Sequence, residues 1–143
     1  MLAPLSWLKE YVDITLEPKK LSDKLTEVGL GCEKIIKDGT ETIFELEITP
    51  NRADCLSIIG IAREIAAIEN KNIKYPKLKT TLKPSSHLSS GSTKNITIKT
   101  NPKINPRFTG IIISGIKVGE SPKWLIDKLE KVGQRSINNI VDI

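Results

Sequence analysis

Residues 43–49 constrain this chain more than any other stretch. Phe44, Leu46 and Ile48 alternate with Glu45 and Glu47, and a period of two marks a strand with one face buried and the other in water. Residues 32–37 form a second strand candidate. Asp38-Gly39 lies between the two and is a strong hairpin signal, because glycine supplies the positive φ that tight turns require. The first half of the chain is therefore expected to centre on an antiparallel hairpin with one acidic face. Its flanking segments must cover the apolar face.

The flanks read as helices. Trp7, Leu8, Tyr11 and Val12 share one face of a short helix behind Ser6, a good N-cap residue. After Pro18, Leu21, Leu25 and Val28 recur at helical spacing, with Lys19, Lys20, Asp23, Lys24 and Glu27 facing water, and Gly29 ends the run. Pro50-Asn51-Arg52-Ala53-Asp54 is turn chemistry, and Asp54 is the expected cap of a third helix reaching about Asn70. Its apolar stripe is Ile58, Ile61, Ala62, Ile65 and Ile68, with Arg63 and Glu64 off it. A short strand is expected at residues 72–75.

Residues 80–95 are rich in Ser and Thr and read as a linker. Beyond it, 96–100 and 109–118 read as strands separated by the turn from Asn101 to Pro106. Ser121 and Pro122 suit the start of a helix with Trp124, Leu125, Leu129 and Val132 on its core face and Gly133 at its end. Residues 136–143 open another apolar pattern (Ile137, Ile140, Val141, Ile143) that stops without a cap or turn, so the chain is expected to be cut short.

Composition narrows the function classes. Aromatic residues make up 4% of the chain, so Ile, Leu and Val must fill the core. No apolar run approaches the 18 or so residues of a membrane span, and the N-terminus lacks a secretory signal layout. Cys32 and Cys55 stand far apart without metal-ligand spacing, which fits small core residues in a reducing cytoplasm better than a disulfide or metal site. The single histidine, His87, sits in the Ser-rich stretch, which argues against histidine-based catalysis. Residues 1–75 carry 10 basic and 13 acidic side chains, whereas residues 76–143 carry 12 basic and 4 acidic. That asymmetry suits either a lysine-rich solvated surface or an anionic partner for the second half.

Three strings resemble the beta subunit of bacterial phenylalanyl-tRNA synthetases. The first is Ser6-Trp7-Leu8-Lys9-Glu10-Tyr11-Val12-Asp13-Ile14. The second runs from Glu45-Leu46-Glu47-Ile48-Thr49-Pro50-Asn51-Arg52-Ala53-Asp54-Cys55-Leu56-Ser57 into Gly60-Ile61-Ala62-Arg63-Glu64. The third links Pro106-Arg107-Phe108-Thr109-Gly110, Ile116-Lys117-Val118-Gly119 and Trp124-Leu125 to Arg135-Ser136-Ile137-Asn138-Asn139-Ile140-Val141-Asp142. The resemblance implies an α+β chain. A small helix-helix-hairpin-helix domain, winged-helix-like, would occupy residues 1–78, a Ser/Thr-rich linker 79–95, and the incomplete start of the editing (B3/B4-like) domain 96–143. It differs from most bacterial members of the family at the hairpin. Only Asp38-Gly39-Thr40-Glu41-Thr42 separates Lys37 from Ile43, too little for the oligonucleotide-binding-fold insert that binds tRNA.

By the same resemblance the full enzyme is a cytoplasmic alpha2beta2 heterotetramer that joins phenylalanine to its tRNA with ATP and Mg, and the beta subunit proofreads mischarged tyrosine. This chain is expected to hold no cofactor, metal or catalytic residue, to be structural on its own, and to meet tRNA weakly or through the full subunit. The one residue carried over to the editing pocket is Arg135, whose guanidinium could hold oxygens of an aminoacylated adenosine. The alternative is a solvated arginine complementing a helix C-terminus. Asn51 and Arg52 are expected to brace the strand-to-helix corner, or to touch RNA or another subunit. Asn138 and Asn139 are expected to cap rather than line a pocket. Lys77, Lys79, Lys83, Lys94, Lys99, Lys103 and Arg107 form a basic stretch capable of weak, salt-dependent attraction to RNA. A different class, a small winged-helix-like nucleic-acid-binding module, is countered by the mixed charge of the helix after Pro18, since a DNA-reading helix should be basic.

Overall fold

The computed structural model describes residues 1–77, 100–108, 113 and 115–143. The described chain is α+β, with a three-stranded antiparallel sheet and four α-helices. The elements are β1 (Leu2–Pro4), α1 (Leu5–Tyr11), α2 (Pro18–Glu27), β2 (Gly31–Asp38), β3 (Glu41–Glu47), a 3-10 turn (Ala53–Cys55), α3 (Ile58–Ile68) and α4 (Lys123–Lys131). The sheet order is β1-β3-β2.

The hairpin forms where expected, one step tighter. Asp38 pairs with Glu41, and only Gly39 and Thr40 lie between the strands. Gly39 has φ +55, the sign that the first position of a II′ turn needs. Glu33 is the extra residue of a bulge between Cys32 and Lys34, which re-aims the start of β2. β1 has no expected counterpart. It spans three residues and includes Pro4, so its sequence carries almost no strand signal. It pairs Leu2, Ala3 and Pro4 with Glu45, Phe44 and Ile43, making β3 the central strand.

The core lies on the Phe44–Leu46 face of β3. Leu8 and Val12 at α1, Leu21 and Leu25 of α2, and Ile61 and Ile65 of α3 pack there with both strand residues. At roughly 1.5–3 kcal/mol for each fully buried large aliphatic or aromatic side chain, this cluster is the main source of cohesion. The opposite face is not wholly solvated, contrary to the sequence reading. Glu41 and Ile43 are buried there, Glu45 is half-buried and only Glu47 is exposed. Ile43 lines a cleft shared with Asp127, Glu130 and Lys131 of α4.

Helix boundaries follow local chemistry. Past α2, Gly29 (φ +88) lets its own N–H donate to Thr26 O at 3.0 Å and the Leu30 N–H donate to Leu25 O at 2.9 Å, a Schellman closure. Gly133 (φ +75) ends α4 the same way, with Gln134 N donating to Leu129 O. Other expected caps move. Ser6 lies inside α1, where its N–H and hydroxyl turn to Glu41. Asp54 falls in the 3-10 turn, and the cap of α3 is Ser57, whose hydroxyl accepts from Gly60 N at 3.1 Å. Ser121 stands just before α4 and donates its hydroxyl to Asp142.

Three expected elements or faces differ. Residues 72–75 form no strand and are tied by a single backbone bond, Lys74 N to Tyr11 O. Val28 lies just past the end of α2 and is exposed. Trp124 is 62% exposed, and α4 has no fully buried residue.

Contacts divide the chain into two compact units, Met1–Lys77 with Val118–Ile143, and Leu78–Lys117. Within the first unit, salt bridges from Lys128 to Glu10 and from Lys131 to Glu41, each at 2.7 Å, join α4 to residues 1–77. In the second unit, Ile104 N and Asn105 N donate to Asn101 O, and Asn101 Oδ1 accepts from Lys103 N. The expected turn from Asn101 is therefore present. The linker 79–95, His87, and most of the expected strands at 96–100 and 109–118 lie outside the described residues.

Candidate functional site

The corner after β3 gathers Arg52, Asp54, Cys55 and Glu64. Arg52 N–H closes the turn onto Thr49 O at 2.9 Å. The Arg52 guanidinium donates to both oxygens of Asp54 at 3.1 and 3.0 Å. It also lies 2.9 Å from Glu64 Oε1 on α3 and 3.0 Å from Cys55 Sγ. The paired hydrogen bond from Arg52 holds the Asp54 carboxyl down at about 2, and the same bond raises the pKa of Arg52 itself. Asn51 is exposed beside it.

Asp54, Cys55 and Glu64 could each offer one ligand atom, and these atoms lie within 4.8 Å of one another. The guanidinium already occupies the space such a cation would need, so the arrangement fits neither a structural metal nor the magnesium of ATP chemistry. Burial, helped by the Asp54 carboxylate, pushes the Cys55 thiol up, the opposite of what an active thiolate requires.

Two carboxylates that carry no sequence signal prove to be strongly perturbed. Glu41 is buried, which on its own would raise its pKa. Hydrogen bonds from Lys131 Nζ at 2.7 Å, the Ser6 hydroxyl, Ser6 N at 3.1 Å and Thr42 N at 3.2 Å outweigh burial and hold it at about 2. Glu69 behaves alike. Its side chain is 4% exposed, and burial is overcome by Lys71 at 2.8 Å, the Thr15 hydroxyl at 2.6 Å and the N–H groups of Leu16 and Thr15, again to about 2. Each is a clamp. Glu41 joins β3 to α1 and α4, and Glu69 joins the end of α3 to the loop after α1. Only Ser6 and Thr15, hydroxyl residues 35 and 54 positions away, could have pointed to them, and separations of that size are invisible to local patterns.

Asn138 and Asn139 make local and longer-range hydrogen bonds, and neither caps a helix among the described residues. Asn138 Oδ1 accepts from Ile140 N and Val141 N at 3.0 Å, and Asn139 Oδ1 accepts from Gly119 N at 3.1 Å. Asp142 accepts from Ser121, Ser136 and Ile137 N, and the Ser121 bond leads in lowering its pKa. Arg135 stands between Gln134 and Ser136 and is exposed. None of the hydrogen bonds or salt bridges found among the described residues involves its side chain. Among the described residues are two shallow clefts. One of about 440 Å³ is lined by Met1, Leu2, Trp7, Leu56, Ser57, Ile58, Val132 and Gln134; the other, of about 550 Å³, lies between the hairpin and α4. Neither is lined by Arg135. No helix among the described residues is long and apolar enough to cross a membrane.

Comparison with known proteins places these residues in context. A family model described as the B3/4 domain matches residues 104–143. The chain is 40% identical over 146 residues to the phenylalanine–tRNA ligase beta subunit of Rhodopirellula baltica, an alignment covering all of this chain and 20% of that subunit. It is 46% identical over 142 residues to the beta subunit of Fusobacterium nucleatum, covering 99% of this chain and 16% of the relative. With the Geobacter sulfurreducens beta subunit it shares 48% identity over 108 residues, covering 72% and 12%. The chain thus spans about a fifth or less of the length of these relatives. With the motifs in family order, the B3/4 match and these identities along its length, the chain belongs to the phenylalanine–tRNA ligase beta-subunit family.

Proposed function

We propose that this chain is a structural, assembly-supporting part of the beta subunit of a phenylalanine–tRNA ligase and is non-catalytic by itself. The complete enzyme, an alpha2beta2 heterotetramer in the cytoplasm, would use ATP and magnesium to attach phenylalanine to its tRNA in protein biosynthesis. Tyrosine proofreading would need more of the editing pocket than Arg135. In this reading residues 1–78 are the helix-helix-hairpin-helix domain and 96–143 the start of the editing domain. The observation that carries it is where the perturbed carboxylates spend their hydrogen bonds. Glu41, Glu69 and Asp54 all accept from donors of the chain itself, which fixes elements to one another and commits these three carboxylates to structure. Arg52 serves as a brace in the same way.

RNA contact would then be weak and electrostatic. On α2, the sequence alternative's candidate reading helix, Lys19 pairs with Asp23 and Lys24 with Glu27, so it presents little free positive charge to DNA. Filter binding with phenylalanine tRNA and with duplex DNA, at low and moderate salt, tests this. Weak, salt-sensitive binding with no preference for DNA is expected. DNA binding tighter than tRNA binding would overturn the assignment in favour of a nucleic-acid-binding module. Co-expression with the alpha subunit, followed by size-exclusion chromatography, tests the assembly role; co-elution supports it, and separate elution counts against it.

A further inference from the structure

Helix α4 is attached in an unusual manner for a helix in a compact unit. None of its residues is fully buried, so apolar burial alone does not seat it. Two lysines one turn apart tie it to residues 1–77, beside the partly buried Val132 that packs on the core. Lys128 Nζ lies 2.7 Å from the Glu10 carboxylate, 4.9 Å from the centre of the Trp7 ring and 5.9 Å from that of Trp124. An ammonium between two aromatic faces and a carboxylate gains from the ring quadrupoles as well as the ion pair. Lys131 Nζ lies 2.7 Å from Glu41, whose side chain is 9% exposed. Leu129, Val132 and Gly133 follow the same edge, and a side chain at Gly133 would meet Leu2 at 3.5 Å.

We propose that α4 is a charge-seated strap: Lys128 and Lys131 fasten Val118–Ile143 onto Met1–Lys77, and removing the two charges releases the strap while the remaining body stays folded. The body has its own core, since the large buried side chains (Phe44, Leu8, Leu21, Leu25, Leu30 and Leu46 among them) all belong to residues 1–77. The strap falls within the stretch that matches the B3/4 domain, so its seating would fix where that segment starts relative to the N-terminal elements. This inference rests on the geometry of α4 and not on the proposed function.

Trp7 and Trp124 are the only tryptophans in the chain, and both flank Lys128, so intrinsic fluorescence reads the strap directly. Zero-length carbodiimide coupling at low salt followed by mass spectrometry reads the two ion pairs. In the unmodified chain, cross-linked peptides joining Lys128 to Glu10 and Lys131 to Glu41 are expected. In the double variant K128M/K131M the acrylamide quenching of tryptophan should rise about twofold as the lysine cover is lost, with far-UV circular dichroism of the body retained. The charge-retaining pair K128R/K131R should keep the unmodified quenching, since a guanidinium serves both the carboxylates and the ring faces. Absence of both cross-links in the unmodified chain would overturn the proposal. So would unchanged quenching in the double variant, loss of shielding in K128R/K131R, or global unfolding of the double variant, which would make α4 integral to the core.

Discussion

Replacing Glu41 with glutamine tests the clamp between β3, α1 and α4. The substitution keeps the shape of the side chain and removes its charge. Three of its partners are obligate donors, Lys131 Nζ, Ser6 N and Thr42 N, and the amide nitrogen of glutamine cannot accept from any of them. A carboxyl held at about 2 instead of its ordinary 4.5 corresponds to roughly 3 kcal/mol in favour of the ionised form in the folded chain. Lys131 is one-third exposed, and water screens its share, so a loss of roughly 2–3 kcal/mol at pH 7 is expected. The sign follows from the lowered value. Stability from Glu41 is fully present above 4.5, the unfolded value, and is lost as pH falls from there through about 2. Urea unfolding of both proteins, followed by far-UV circular dichroism from pH 7 downwards, measures the difference. It should shrink below pH 4.5 and approach zero near pH 2. A difference under roughly 0.5 kcal/mol at pH 7, within the range of an ordinary surface substitution, or one that stays constant down to pH 2, would refute the reasoning.

Other perturbations have graded outcomes. Glu69→Gln should destabilise the chain by roughly 2 kcal/mol at pH 7 with the same loss between pH 4.5 and about 2, read by the same urea titration, and should speed amide exchange at Thr15 and Leu16, whose N–H groups it holds. Gly60→Ala should cost roughly 3 kcal/mol or more, because a Cβ there would lie 2.0 Å from the Asp54 backbone oxygen; a thermal midpoint equal to that of the unmodified chain would contradict the tight packing of α3 on the corner. Ser57→Ala removes the α3 cap and should cost about 1 kcal/mol, measured as a shift of the urea midpoint. Arg52→Met should lower the thermal midpoint by less than Gly60→Ala does, since Arg52 braces a partly exposed corner.

What the sequence revealed was whatever local periodicity encodes. The alternation of Phe44 and Leu46 with Glu45 and Glu47 located β3, Asp38-Gly39 located the turn, and the glycines at 29 and 133 located two helix ends, because each effect is decided within a few residues. The features it concealed depend on distant partners. β1 is a strand only because β3 offers it an edge, and Ser6 gives up a capping position because Glu41 accepts its N–H and hydroxyl. Trp124 has the spacing of a core residue, yet it is exposed and lies against Lys128 instead of the core cluster. Arg52 could be identified as a corner residue, but its reach to Glu64 depended on how α3 packs.

The central claim is that the polar groups of this chain fasten its elements and perform no chemistry by themselves. Incubating the purified chain with tyrosine-charged phenylalanine tRNA and measuring free tyrosine tests it most directly. Release at the rate of the uncatalysed control is the predicted result; release above that control, abolished by Arg135→Ala, would contradict it.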